Sequence, residues 1–214
     1  MSSNSIAPKH IDNLLFDLGG VIIDLDRKRA IEAFLALGIA DINDMLGLYV
    51  QAGTLLKLEA GELTTDEFHN ELRGHSNRPL SDEQIDEAFN SLLVGIPIAR
   101  LQALEQLRER YNLYILSNTN PIMFGGKIAQ EFKKIGHSIE HYFKGWALSY
   151  EAGYNKPHKG IFDYTVKHLG IDPGRTLFLD DSLKNVEVAT ACGFNAQVVA
   201  PGTEFIDIIN NMGL

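Results

Sequence analysis

The stretch FDLGGVIIDLD, Phe16 to Asp26, carries an apolar run straight into an aspartate, two glycines and an alternating apolar and acidic tail. A carboxylate costs heavily when taken out of water, so Asp17 at the exit of an apolar strand must be partnered, solvated or held for chemistry. Taken alone, Asp17 with Gly19 and Gly20 is good turn material, since glycine accepts positive φ and an aspartate side chain bonds nearby amides. The alternative is a phosphate site, in which the glycines let backbone amides approach a ligand that the Asp oxygen also faces.

Outward from this stretch, strand-like runs alternate with helical ones, the pattern of an α/β fold with a parallel sheet. The strand candidates are NLLFDL, NLYILSN, GWALSY, TLFLDD and NAQVVA, with helices between most of them. In PIARLQALEQLRERY the spacing sets Ile98, Leu101, Leu104 and Leu107 on one face, with Pro97 where a helix can begin. KGIFDYTVKHLG ends on Gly170, a C-cap glycine. The interval from Arg27 to Ile96 breaks the alternation; it holds helical patterns and no convincing strand, and reads as an inserted helical lobe. Within it Thr64 stands three before Glu67 and Ser81 three before Gln84, both capping-box spacings.

At 214 residues, 45% apolar and 22% charged, the chain can bury a full core and carry a smaller second lobe. A net charge of -9 without any basic block argues against a nucleic-acid partner, so an anionic substrate needs a local cation or metal. The single cysteine, Cys192 in VATACGF, excludes an internal disulfide, reads as a buried inert thiol and fits a reducing cytosol. MSSNSIAPKH lacks a basic start followed by an apolar h-region, and no stretch reaches the length of a membrane span. The expectation is a cytoplasmic protein without a membrane partner, monomeric or homodimeric.

Three further stretches stand at strand exits. ILSNTN offers Ser117, Asn118 and Thr119 as hydroxyl, amide and backbone donors. GYNKPHKG places Lys156 in extended backbone before Pro157, just ahead of a helix. TLFLDDSLKNVEVA sets Asp180 and Asp181 side by side after four apolar residues. Each has a bland reading, as a Ser/Asn turn, a solvated lysine and an N-cap acid. Adjacent acids at the end of a buried strand repel one another, however, and a hard cation is the usual remedy. In an open parallel sheet the carboxyl ends of the strands converge on one crevice, so the four pieces make one site. A carboxylate nucleophile, an acid pair for metal, hydroxyl and amide donors and a lysine are the parts phosphoryl transfer requires.

With these motifs in this order, nearly the whole chain resembles the haloacid dehalogenase superfamily, whose members are mostly phosphohydrolases. The resemblance implies a Rossmann-like core of strand order 3-2-1-4-5 over residues 1–26 and 97–214, with residues 27–96 as a mobile helical cap that selects substrate. It makes Asp17 the nucleophile, Ser117 and the Asn118 amide phosphate-binding groups, and Lys156 the phosphate-neutralising cation. Magnesium would be held by Asp17, the Gly19 carbonyl and chiefly Asp181, with Asp180 a ligand or its partner and Asn185 orienting the acid pair.

Most phosphatases of that superfamily carry a second aspartate two residues after the nucleophile, as general acid and then base; here the position is Gly19. The carbonyl survives for metal, but the side-chain acid is missing. The chain is therefore inactive, uses another acid, or acts on substrates that need little leaving-group protonation, and the last two are favoured. A resembling subgroup, with DLGNV or DLGGV first motifs and LSNTN second motifs, includes phosphatases of sugar 1-phosphates such as glucose 1-phosphate. Their anomeric oxygen is a better leaving group than an ordinary alkoxide. Asp24 is the reserve candidate for a substitute acid, and Tyr49, Lys57 and Glu59 of the lobe are possible substrate contacts.

The expected function is magnesium-dependent hydrolysis of a small phosphorylated metabolite, a sugar phosphate, through an aspartyl-phosphate. A non-catalytic phosphate-binding member of the same fold is the alternative, ahead of a dehalogenase, which needs no metal, or a phosphomutase. A phosphorylated receiver domain has the reverse chain order of acid pair and phosphorylated aspartate. His69, His75, His137 and His141 read as scattered surface or capping residues, and Trp146 as core.

Overall fold

The computed structural model describes residues 10–45 and 53–214; Tyr49 lies outside them. Five strands form a parallel sheet: β1 (Asn13–Phe16), β4 (Asn112–Ser117), β5 (Gly145–Leu148), β6 (Thr176–Asp180) and β7 (Asn195–Val198). β1 lies at the centre, paired with β4 from Asn13↔Asn112 and with β6 from Asn13↔Thr176. The order β5-β4-β1-β6-β7 is the 3-2-1-4-5 arrangement expected, and each strand falls on one of the five apolar runs.

These runs become strands because both faces of the sheet are covered by helices, so near-continuous apolar sequence is needed rather than alternation. Leu14 and Phe16 enter one apolar cluster with Ile115, Leu177 and Leu179. Leu15 enters the other with Leu116, Phe162 and Phe178. The helix Lys159–Leu169 covers that second face and stops at Gly170, whose φ of 65° is the left-handed cap foreseen for it. In the helix Ile98–Leu107, Leu101, Leu104 and Leu107 are buried as expected. Ile98 is instead exposed, because it is the first helical residue and lies at the rim of the sheet's cover.

Between β1 and β4 the chain leaves through β2 (Asp24–Leu25) and returns through β3 (Leu93–Gly95), an antiparallel ribbon pairing Asp24 with Gly95 and Leu25 with Leu93. The interval read as wholly helical thus contains a strand. Three residues carry no period of their own, and Leu93–Gly95 extends only because Asp24–Leu25 lies beside it. The helices Arg27–Ala36, Ile42–Met45, Thr54–Glu59, Thr65–Gly74 and Asp82–Asn90 lie between the ribbon strands. Thr64 with Glu67 and Ser81 with Gln84 close complete capping boxes, which fix two of these starts locally. Phe89 packs against Phe34 and Phe68, with ring centroids 6.3 and 5.3 Å away, and this aromatic cluster is continuous with the apolar residues on one side of the sheet.

Candidate active site

The carboxyl ends of β1, β4 and β6 meet at Lys156. Its Nζ donates to Asp17 Oδ1 at 2.9 Å, to Asp180 Oδ2 at 2.6 Å and to the Leu116 carbonyl at 3.1 Å, tying three neighbouring strands to one buried cation. Asn118 places that lysine: its side-chain amide donates to the Lys156 carbonyl at 3.0 Å, and its Oδ1 accepts from the Lys156 N–H at 2.7 Å. With both ends of the side chain committed, what Asn118 can offer a ligand is its backbone N–H. Ser117 is buried at the last position of β4, its hydroxyl donating a long 3.4 Å bond to the Asn118 carbonyl. Ser149, which no motif singled out, fixes the next residue by accepting from Thr119 N–H at 3.0 Å and donating to the Thr119 carbonyl at 3.1 Å.

The loop after Asp17 is tight. Leu18 accepts through its carbonyl from Ile22 and Ile23, and Gly20 N–H donates to Ile23, a pattern in which no donor among the described residues takes the Gly19 carbonyl. Gly20 has a φ of 73°, and a β-carbon there would stand 2.4 Å from Asp181 Oδ2, so only glycine lets that carboxylate close over the loop.

Asp17, Asp180 and Asp181 bring carboxylate oxygens within 4.8 Å of one another. Their roles separate by hydrogen bonding. Asp180 is fully buried and accepts three bonds, its Oδ1 from Ser182 N–H and Asn185 Nδ2, both at 2.8 Å, and its Oδ2 from Lys156. Asp17 Oδ1 accepts from Leu18 N–H at 2.7 Å and from Lys156, whereas no donor among the described residues reaches its Oδ2. Asp181 stands on the exposed lip with no hydrogen bond from another residue among those described. The hard, all-oxygen set of the Asp17, Asp180 and Asp181 carboxylates fits magnesium, and Asn185 orients Asp180.

Burial pushes the Asp17 carboxyl up to about 7, helped by the charges of Asp180 and Asp181 and opposed by Lys156. Asp181 is raised too, by loss of water around it and by Asp180. Burial works against the Lys156 charge, but Asp17 and Asp180 more than offset it and hold the ammonium above its ordinary range. The site carries more negative charge than its one lysine balances, as a cation site should.

The other candidates separate clearly. Asp24 is bonded by Arg100 Nη1 at 2.7 Å, and the same guanidinium holds Ile22 and Glu204. Lys57 lies on the wall of a cavity of about 750 Å³ that reaches Lys156. Glu59 ends the helix Thr54–Glu59 and feels the charges of Asp17 and Lys156. His69 is buried against Asp86, and His75 bonds Asp41. His137 and His141, by contrast, are not scattered: their rings stack at 3.8 Å and His141 reaches Glu105 at 2.7 Å, a grouping their sequence spacing did not reveal. Trp146 packs edge-on against Phe124 at 5.4 Å. Cys192 is half-buried, and burial pushes its thiol up.

A doubly wound parallel sheet whose strand ends gather a carboxylate, a lysine and an acid pair defines an α/β enzyme of the phosphoryl-transfer or ester-cleaving kind. Residues 11–193 match the family of haloacid dehalogenase-like hydrolases. D-ribitol-5-phosphate phosphatase of Bacteroides thetaiotaomicron is 37% identical over 184 residues, covering 86% of this chain and 89% of that protein. An aspartate-to-alanine variant of a HAD family enzyme from the same organism, crystallised with magnesium and inorganic phosphate, superposes with a TM-score of 0.88 at 39% identity, over 93% of this chain and 98% of the other. A HAD-like hydrolase from Porphyromonas gingivalis gives 0.86 at 34% identity, over 94% and 97%. The chain belongs to the haloacid dehalogenase-like hydrolases.

Proposed function

We propose that this chain is a magnesium-dependent phosphatase of small polyol or sugar phosphates that works through an aspartyl-phosphate on Asp17. The observation that carries it is the state of Asp17: one oxygen is fixed by Leu18 and Lys156, and the other has no donor among the described residues, as a nucleophile needs. Ser117 and the Asn118 N–H hold the phosphoryl oxygens, Lys156 neutralises them by its charge, and Asp180 keeps Lys156 in place. Asp17, the Gly19 carbonyl and Asp181 would hold magnesium, which would supply positive charge against the phosphoryl oxygens. The relative named for ribitol 5-phosphate extends the substrate range from anomeric esters to primary alkyl esters. Residues 27–96 act as the cap, forming one wall of the cavity above Lys156 through Leu56, Lys57 and Ala60. No helix of the described residues is long and apolar enough to cross a membrane, and with a single cysteine the chain suits the cytoplasm.

Phosphate release from ribitol 5-phosphate, glucose 1-phosphate and p-nitrophenyl phosphate, with and without magnesium, tests this reading. Asp17→Asn should lower turnover more than about a thousandfold while keeping the wild-type melting curve, since an amide is no nucleophile. Near-normal turnover in that variant removes Asp17 from the role.

A further inference from the structure

A primary alkyl phosphate leaves as an alkoxide unless a proton is delivered, and Gly19 has no side chain to deliver it. Asp24 does not fill the gap, because its carboxylate is held by Arg100. Asp180 is spent on Lys156, Ser182 and Asn185. Asp17 and Asp181 belong to the nucleophile and the cation. One further carboxyl feels the charge of the nucleophile: Glu59.

Its place follows from its neighbours in the chain. Leu56 stands three residues before Glu59 and Ala60 directly after it. Leu56 and Ala60 line the cavity of about 750 Å³ that ends at Lys156. The turn is fastened to the opposite wall: Asn155 Nδ2 donates to the Leu56 carbonyl at 3.4 Å, and Gly61 sits so close that a β-carbon would stand 2.3 Å from the Tyr150 carbonyl. Glu59 itself is only partly exposed, and no side chain among the described residues takes its carboxyl.

We propose that Glu59, reaching the site from the helical insertion, is the general acid and base whose usual place Gly19 leaves without a side chain; this rests on the phosphatase reading above. As Asp17 Oδ2 bonds to phosphorus, the bond from phosphorus to the alkyl oxygen breaks. The electron pair stays on that oxygen, which takes the Glu59 proton and departs as the alcohol. The resulting Glu59 carboxylate then removes a proton from the water that attacks phosphorus. The Asp17–phosphorus bond breaks, and inorganic phosphate, the Asp17 carboxylate and protonated Glu59 are restored. Burial and then the Asp17 charge push Glu59 up to about 7, against the pull of Lys156, which keeps a protonated fraction at neutral pH. Lys57 and Glu62 from its own segment, with Tyr154, His158 and Lys184, are the other charged or titratable groups on the wall of that cavity besides Lys156.

The test is Glu59→Gln in the full chain with magnesium, following the first, phosphorylation step in single turnovers of ribitol 5-phosphate and p-nitrophenyl phosphate. The alkyl ester should slow by about a hundredfold or more, and the nitrophenyl ester, whose anion leaves unaided, by less than about tenfold. The wild-type fall in alkyl-ester rate above neutral pH should vanish, and Glu59→Asp should recover part of the alkyl-ester rate. Equal losses on both esters, or equal rates for the Gln and Asp variants, make Glu59 merely structural and overturn the assignment while leaving the phosphatase reading standing. A wild type that releases phosphate from neither ester overturns both.

Discussion

At the scale of single residues, the site depends on side chains that are fixed and on one that is missing. Gly20 is the clearest case of a residue required for what it lacks, since its positive φ and the nearness of Asp181 both exclude a β-carbon. Gly20→Ala should displace Asp181 and weaken magnesium binding at least tenfold, read from the magnesium dependence of melting, while Asp17 keeps its bond to Lys156. An unchanged magnesium response would detach the cation from Asp181. Asp17, Ser117, Asp180 and Asp181 were legible in the sequence because a polar residue at the end of an apolar run needs a reason, and three such ends coincide, whereas Lys156 follows the helix Ser149–Ala152 and was legible only through the resemblance. The division of labour within the acid pair was not legible. It follows from Ser182, Asn185 and Lys156 all bonding Asp180, a matter of hydrogen-bond direction that adjacent aspartates in a sequence do not express.

At the scale of elements, what was local was readable and what depended on docking was not. The capping boxes at Thr64 and Ser81 need only their own four residues, so spacing sufficed. β3 needs a partner strand, and Glu59 needs the insertion to be seated against the Tyr150–Asn155 segment before it means anything. That seating is open to a direct test. Gly61→Ala puts a β-carbon against the Tyr150 carbonyl on a residue with a φ of 70°, and must lift the turn carrying Glu59. It should cost about ten- to a hundredfold in kcat/KM for alkyl phosphates, as small misplacements of reacting groups do. The magnesium-induced rise in melting temperature should survive, because Asp17 and Asp181 stand on the β1 and β6 ends and not on the insertion. Loss of both together would mean that the insertion supports the metal cradle itself.

At the scale of the whole molecule, stability and activity compete inside the crevice. Three carboxylates around one lysine burden the metal-free fold, and saturating magnesium at a hundred times its dissociation constant should raise melting by roughly 5–10 °C. Asp181→Ala should abolish that rise. Glu59 adds a pH-dependent cost: its carboxyl sits at about 7 in the fold against an ordinary 4.5, so folding takes up a proton between those values. Stability contributed by the protonated carboxyl is therefore lost as pH rises from about 4.5 through about 7. Glu59→Gln should melt at the wild-type temperature at pH 5 and above it at pH 8, the behaviour of a residue kept for chemistry at the expense of the fold; identical curves at pH 8 would remove that cost. The central place of β1 has a further consequence, for the order in which the protein is made. Asn13 bonds Thr176 across 163 residues of chain, so the strand that carries the nucleophile leaves the ribosome long before one of its two neighbours exists. At roughly 5–20 residues per second that interval is on the order of 10–30 s, during which an apolar strand waits first with both edges bare and then, once β4 exists, with one. The crevice is therefore completed late in synthesis, and a nascent chain stalled before β6 holds its aspartate but neither the acid pair nor an enzyme.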